Sequence, residues 1–349
     1  MSDPFATVTA ELPRDRWGRP LITPPEGGDP TAYTRVTTFV KALDDTFHLG
    51  KWQMRMTALG MSVRRDLVLA AVAITNPDDQ NQKKTLNRIA ESALEASKAH
   101  ARAEIGTALH SFSERIDRGD DLGEHVPEEY LADLQAYREI RRYLGDVVAM
   151  EGFCVVDSLR IGGSYDRIFR FTEESLATFE REKGHRLAYP DGTEVQPGDT
   201  IIGDLKTGKS IDFGIGGIAM QLATYANAED YDHTLGSRTP VPVTNKKWAV
   251  VIHLPAGKGT ASLVWVDIES AWHTVTTVVP QVHAWRKRRD LSYAFASATA
   301  APTAGPTLPE QIRTATSPEA LRALYAANAM AWTPGLTSLA TARIAELGK

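Results

Sequence analysis

Thr200-Ile201-Ile202-Gly203-Asp204-Leu205-Lys206-Thr207-Gly208-Lys209 is the stretch from which the rest of the chain is read. Its apolar start marks a short strand, and Gly208 closes a turn after it. Side chains alternate along a strand, so Asp204 and Lys206 share one face while Leu205 turns into the core. A carboxylate and an ammonium held side by side at a strand end would suit a divalent cation and a water molecule. The plainer alternative is a surface strand end with an ordinary Asp–Lys pair, because a D-x-K triplet is common by chance.

The letters from Gly203 to Ser210 also match the phosphate-loop pattern G-x-x-x-x-G-K-[ST]. A phosphate loop runs straight into a helix whose N-terminus holds the phosphate. The continuation through Gly214, Gly216 and Gly217 is too rich in glycine to open a helix at once. No later apolar strand ends in an Asp placed to hold a nucleotide's magnesium, so nucleotide binding stands third among the readings.

A chain of 349 residues holds one large domain with appendages or two modest ones. Cys154 is the single cysteine, which excludes a disulfide framework and any cluster needing several thiolates; within Phe153–Val156 it reads as a buried small hydrophobe. No apolar run could span a bilayer and the N-terminus lacks a signal-peptide pattern, so a cytoplasmic protein without a membrane partner is expected. The net charge of −5 argues weakly against a nucleic-acid partner. A local basic groove, or a metal held by clustered carboxylates, would supply the missing positive charge.

Taken in order, residues 1–30 read as loosely ordered, 31–148 as a helical region, and 149–292 as a sheet core with an insertion at 172–199. Residues 293–317 form an Ala/Pro/Thr linker, and 318–349 a tail of two short helices around Trp332-Thr333-Pro334-Gly335. One long helix is expected over 83–116, with Ile89, Ala93, Ala96, Ala99, Ala103 and Gly106 recurring at helical steps along one side. Gly106 costs about 1 kcal/mol relative to Ala in mid-helix, which points to close approach by another backbone. His110 and Glu114 share a face; taken alone, His110 reads more readily as a satisfied histidine than as a ligand. A further helix over 127–144 carries Arg138, Arg141 and Arg142 as a solvated or phosphate-facing stripe. Asp166 follows Gly162-Gly163 at the entry of a strand, a turn aspartate being the alternative reading. A helix over 218–229 places Gln221 and Tyr225 one turn apart. Two strands over 247–254 and 261–268 and a helix over 269–290 complete the core.

Four motifs therefore stand in sequence: G-x-x-x-H on a helix (Gly106, His110), G-G-S-Y-D at a strand entry (Asp166), G-D-L-K (Asp204, Lys206), and Q-x-x-x-Y on a helix (Gln221, Tyr225). Each is weak alone, but four in this order on these element types are specific. Over residues 35–290 the chain resembles the PD-(D/E)xK nuclease superfamily, in its RecB-like exonuclease branch, which includes phage-borne forms. The resemblance implies an α/β (α+β) fold with a restriction-endonuclease-like core, a mixed central sheet flanked by helices, and the site at one sheet edge. It implies an exonuclease that hydrolyses DNA phosphodiester bonds in recombination, repair or phage DNA processing, with two Mg²⁺ or Mn²⁺ ions as cofactors. By motif, Asp166 and Asp204 would be metal-binding carboxylates, His110 a third ligand, and the backbone carbonyl of Leu205 a fourth. Lys206 would position or deprotonate the attacking water and stabilise charge on the phosphate, and Gln221 and Tyr225 would orient the DNA. Such hydrolysis needs hydroxide at neutral pH and neutralised phosphate charge, both of which a hard divalent cation supplies. His110 is a softer donor and would favour Mn²⁺.

Two departures accompany the resemblance. Asp166 and Asp204 are 38 positions apart, so residues 172–199 must loop out, and one cysteine cannot hold the iron–sulfur cluster of some relatives. Helicase motifs are lacking, so a recombinase, helicase or annealing protein would be a separate chain. The alternative function is a catalytically silent nuclease-fold protein that binds DNA or a partner.

Overall fold

The computed structural model describes residues 12–97, 101–122, 126–292 and 306–348. Residues 1–11 of the expected loose N-terminus, Ala99 of the small-residue stripe, and residues 293–305 of the expected linker lie outside the described residues. Two units are present, Met1–Lys287 and Arg288–Lys349.

In the first unit, β1 (Leu21–Ile22), β2 (Thr31–Ala32) and β3 (Thr34–Arg35) precede six helices. These are α1 (Val36–Val40), α2 (Phe47–Val63), α3 (Arg65–Val72), α4 (Gln80–Ala96), α5 (Ala101–Arg118) and α6 (Glu128–Arg141). Then come β4 (Asp146–Met150), β5 (Phe153–Val156), β6 (Ile161–Ser164), β7 (Arg167–Arg170), α7 (Glu173–Lys183), β8 (Thr200–Lys206) and α8 (Ile215–Ala226). The unit closes with β9 (Glu229–Asp232), β10 (Ser237–Pro240), β11 (Trp248–His253), β12 (Ser262–Asp267) and α9 (Glu269–Lys287). No helix among the described residues is long and apolar enough to cross a membrane.

The central sheet has the order β12-β11-β8-β7-β4. β4, β7 and β8 form an antiparallel meander, α8 then crosses over, and β11 returns parallel to β8. A parallel neighbour requires such a crossover, and the helix supplies it. Because β8 is covered on both faces, its two alternating sides enter two cores. Ile202 packs with Ile168, Tyr225 and α9's Val275 and Val279. Ile201 and Leu205 pack with Phe169, Leu109 of α5 and Leu134 and Tyr137 of α6. Gly203 lies on the second side, where a Cβ would come within 2.5 Å of the Phe169 ring.

A second five-stranded sheet, β10-β9-β5-β6-β3, was not anticipated from the sequence. The expected loose N-terminus is corrected from residue 12 onward: β1 pairs with β2 in a separate two-stranded sheet, and the segment packs against β5 and β9. Ile22 is fully buried with Tyr33, Val155 and Tyr231, and the Thr23 N–H donates to the Tyr231 hydroxyl. The helix expected over 218–229 instead begins at Ile215 and ends at Ala226, and Glu229 opens β9.

The helix expected over 83–116 is two helices. α4 ends at Ala96, where the Ser97 N–H donates to Ala93 and its hydroxyl turns back to the Leu94 carbonyl, a local bond that competes with helix continuation. Ala93 lies where α2 crosses: a Cβ on Gly60 would fall 1.7 Å from the Ala93 carbonyl oxygen. The insertion is ordered as well. Thr172 and Ser175 cap α7 reciprocally, and Ala188 pairs with Glu194 around the expected hairpin tip.

In the second unit, α10 (Leu308–Thr314) arises inside the expected 293–317 linker and joins α11 (Pro318–Ala327) and α12 (Pro334–Leu347). The two helices expected in the tail are α11 and α12, and α10 packs with them around buried Ile312, Ala315 and Leu321.

Candidate active site

β7 and β8 pair in antiparallel register with Arg167 opposite Gly203. Asp166 just precedes β7 and Asp204 follows Gly203, so the alternation of the pleat puts both carboxylates on the same face as Ile168 and Ile202. Like charges on neighbouring strands repel, and Asp204 is almost fully buried, with 2% of its surface exposed. Burial, and then the Asp166 charge, push the Asp204 carboxyl well above its ordinary value against the pull of Lys206. Lys206 Nζ lies 2.6 Å from Asp204 Oδ2. That contact lacks hydrogen-bond geometry, and Oδ2 has no hydrogen-bond partner.

Asp166 Oδ2 is approached from three sides. The Leu205 N–H donates to it at 3.3 Å, His110 Nδ1 of α5 is 3.5 Å away, and Arg167 Nη1 is 3.7 Å away. Burial lowers the His110 value despite the Asp166 charge, so its imidazole is neutral near pH 7. α5 approaches the end of β8 closely because Gly106 has no side chain: a Cβ there would stand 2.7 Å from the Thr207 hydroxyl. The neighbour at Gly106 is thus a side-chain oxygen and not another backbone.

On α8, Gln221 Nε2 donates to the Tyr225 hydroxyl at 3.3 Å. Burial raises the Tyr225 value, and the carboxylates of Asp204 and Asp166 raise it further, so the phenol keeps its proton as a donor. Gln221 also lines an open cleft with Lys41, Asp44, Leu49, Phe213 and Gly217. His110, Asp166, Asp204 and Lys206 thus gather at the ends of β7 and β8, and the Gln221–Tyr225 pair lies within electrostatic reach of both carboxylates. Leu205 takes part through its N–H, while its side chain is fully buried.

The phosphate-loop reading does not fit this geometry. Gly203 is paired with Arg167 on one side and Val250 on the other, and Lys206 is paired with His253. These backbone groups belong to the sheet, and α8 starts only after a separate turn at Asp212–Gly214.

Several residues of the site were not anticipated. Glu151 connects β4 and β5 at φ +54°, a left-handed conformation rare for a glutamate, and its N–H donates to the Asp166 carbonyl. Partial loss of water, followed by the charges of Asp166 and Glu114, pushes this surface carboxyl up to about 7. Beneath the site, Arg167 is fully buried with Asp117, Ser113 and Tyr137. Ser113 and Asp117 are four apart on α5, as are Tyr137 and Arg141 on α6, and that spacing was the available signal. Arg141 turns inward to the buried Asp117 and so leaves the expected arginine stripe, whereas Arg138 and Arg142 stay exposed, Arg142 pairing with Glu182 at the surface.

Among the described residues, no group of three or more His, Cys, Asp or Glu is gathered closely enough to hold a metal ion. The donor chemistry nevertheless fits a hard divalent cation: a buried carboxylate oxygen without a hydrogen-bond partner, a second carboxylate on the same face, and a neutral imidazole. No protein-family model and no curated protein matches the chain.

Proposed function

We propose that this chain is a metal-dependent DNA nuclease, acting as an exonuclease in DNA recombination, repair or phage DNA processing, with a restriction-endonuclease-like core. The observation that carries the reading is the placement of Asp166, Asp204 and Lys206 together on one face at the ends of β7 and β8, with His110 brought beside them by α5. The antiparallel meander β4-β7-β8, followed by α8 and parallel β11, supports the same assignment.

Asp166 and Asp204 would hold Mg²⁺ or Mn²⁺ with His110 and the Leu205 carbonyl. The cation, when bound, supplies Lewis acidity and a hydroxide source at neutral pH. Lys206 orients the water and, as an ammonium, offsets the charge that develops on the phosphate. The neutral Tyr225 hydroxyl and the Gln221 amide donate to the strand entering through the cleft beside α8. The enzyme would work in a bacterial cytoplasm, or in host cytoplasm if phage-encoded, with any helicase, recombinase or annealing protein as a separate partner.

The test is degradation of end-labelled linear single- and double-stranded DNA with Mg²⁺, Mn²⁺ or EDTA. Metal-dependent cutting that Lys206→Ala loses and Lys209→Ala keeps supports the reading. Binding without cutting would favour the silent alternative, and neither binding nor cutting would end the DNA assignment.

A further inference from the structure

The buried cluster beneath the site carries an imbalance of charge. Asp117 contributes one negative charge, while Arg141 and Arg167 contribute two positive ones, and both arginines stay charged at any physiological pH. Asp117 is saturated: Oδ1 accepts from Arg141 Nε at 2.9 Å, and Oδ2 accepts from the Tyr137 hydroxyl at 2.6 Å and from Arg167 Nε at 2.5 Å. Arg167 Nη2 donates to the Ser113 hydroxyl. The remaining nitrogen, Nη1, is buried without a hydrogen-bond partner and lies 3.7 Å from Asp166 Oδ2.

An orphaned donor on a fully buried guanidinium costs stability unless something else uses it. The surrounding bonds fix the fork so rigidly that Nη1 cannot turn elsewhere, and it faces the carboxylate of the residue directly before it in the chain. Asp166 Oδ2 thus receives Arg167, His110 and the Leu205 N–H together.

We propose that Arg167 is a positioning residue for the candidate metal site: locked by Asp117 and Ser113, it pins Asp166 through Oδ2 so that Oδ1 is the oxygen offered to a divalent cation. The inference rests on the nuclease reading above. Arg167 stays shielded from substrate by the sheet and acts through Asp166 alone. Second-sphere partners of this kind tune ligand orientation, and their loss typically costs about 10–100-fold in metal affinity or activity.

The experiment is calorimetric titration of the full chain with Mn²⁺, paired with melting in EDTA. Arg167→Lys keeps the charge and loses the fork; its Mn²⁺ affinity should fall about 10–100-fold. Tyr137→Phe loosens the same cluster, but Asp117 keeps both arginines, so it should melt lower and bind Mn²⁺ as wild type does. A purely structural Arg167 would give the opposite pattern, a lower melting temperature in Arg167→Lys with unchanged Mn²⁺ affinity, and that result overturns the proposal. Should Arg167→Lys not fold, Ser113→Ala decides: weaker Mn²⁺ binding sustains the proposal and wild-type binding overturns it. Failure of the wild type itself to bind Mn²⁺ would instead bring down the nuclease reading, and this inference with it.

Discussion

Asp157, in the turn after β5, and Asp204, in β8, are aspartates of one unit whose surroundings drive them in opposite directions. At Asp157 burial works against the charge, but Arg238 and Tyr33 outweigh it and hold the carboxyl below its ordinary value. Oδ1 accepts from the Tyr33 hydroxyl at 2.7 Å and Arg238 Nη2 at 3.0 Å, and Oδ2 accepts from Arg238 Nε at 2.6 Å. Arg238 Nη2 also donates to the Thr23 carbonyl, so this one carboxylate ties the N-terminal segment to β10. Asp204 is more deeply buried and has a second carboxylate on its face, and the close Lys206 ammonium offsets these only in part. A satisfied carboxylate stabilises the fold. One whose burial outweighs its partner costs stability and is where chemistry is expected.

The largest effect that would sharpen this contrast is on cutting. Lys206→Ala and Asp204→Ala should each lower DNA cleavage by about 10³-fold, measured in single-turnover assays with Mg²⁺. Asp157→Ala should leave the cleavage rate of the folded protein intact. Its cost appears in denaturant melts, at about 2–3 kcal/mol, because Arg238 is left nearly buried without its partner. Equal losses of cutting in Asp157→Ala and Asp204→Ala would break the distinction.

A smaller effect concerns Glu151. Its carboxyl is raised from 4.5 to about 7 in the folded chain, so between those values the folded state binds the extra proton. Its contribution to stability therefore falls as pH rises through that window. Glu151→Gln removes this dependence, and its melting advantage over wild type in EDTA should widen from about pH 5 to about pH 8. A constant difference across that range would show that the crowding of Glu151 by Asp166 and Glu114 is not felt.

What the sequence carried was short-range. The i, i+2 step put Asp204 and Lys206 on one face, and the i, i+4 step joined Gln221 to Tyr225; both patterns survive folding because local geometry imposes them. The glycine penalty at Gly106 rightly flagged a close approach, although the neighbour is the Thr207 hydroxyl. What was illegible depends on pairing across long loops. β9 pairs with β5, some 75 residues earlier in the chain, and with polar residues such as Glu229 and Asp230 it has none of the apolar alternation that announces a strand. Nothing local marks Arg167 as buried, since only the convergence of α5 and α6 on β7 places Asp117 and Ser113 against it.

The central claim, that Asp204 is held at a cost which a cation relieves, is tested most directly by melting wild type and Asp204→Asn in EDTA and in Mn²⁺. In EDTA at neutral pH the Asn variant should melt above wild type, having lost a buried charge that Lys206 offsets only in part. Mn²⁺ at about a hundred times its dissociation constant should stabilise wild type by about 2.7 kcal/mol and leave the variant unmoved. A variant that melts below wild type in EDTA, together with a wild type indifferent to Mn²⁺ and Mg²⁺, would contradict the account.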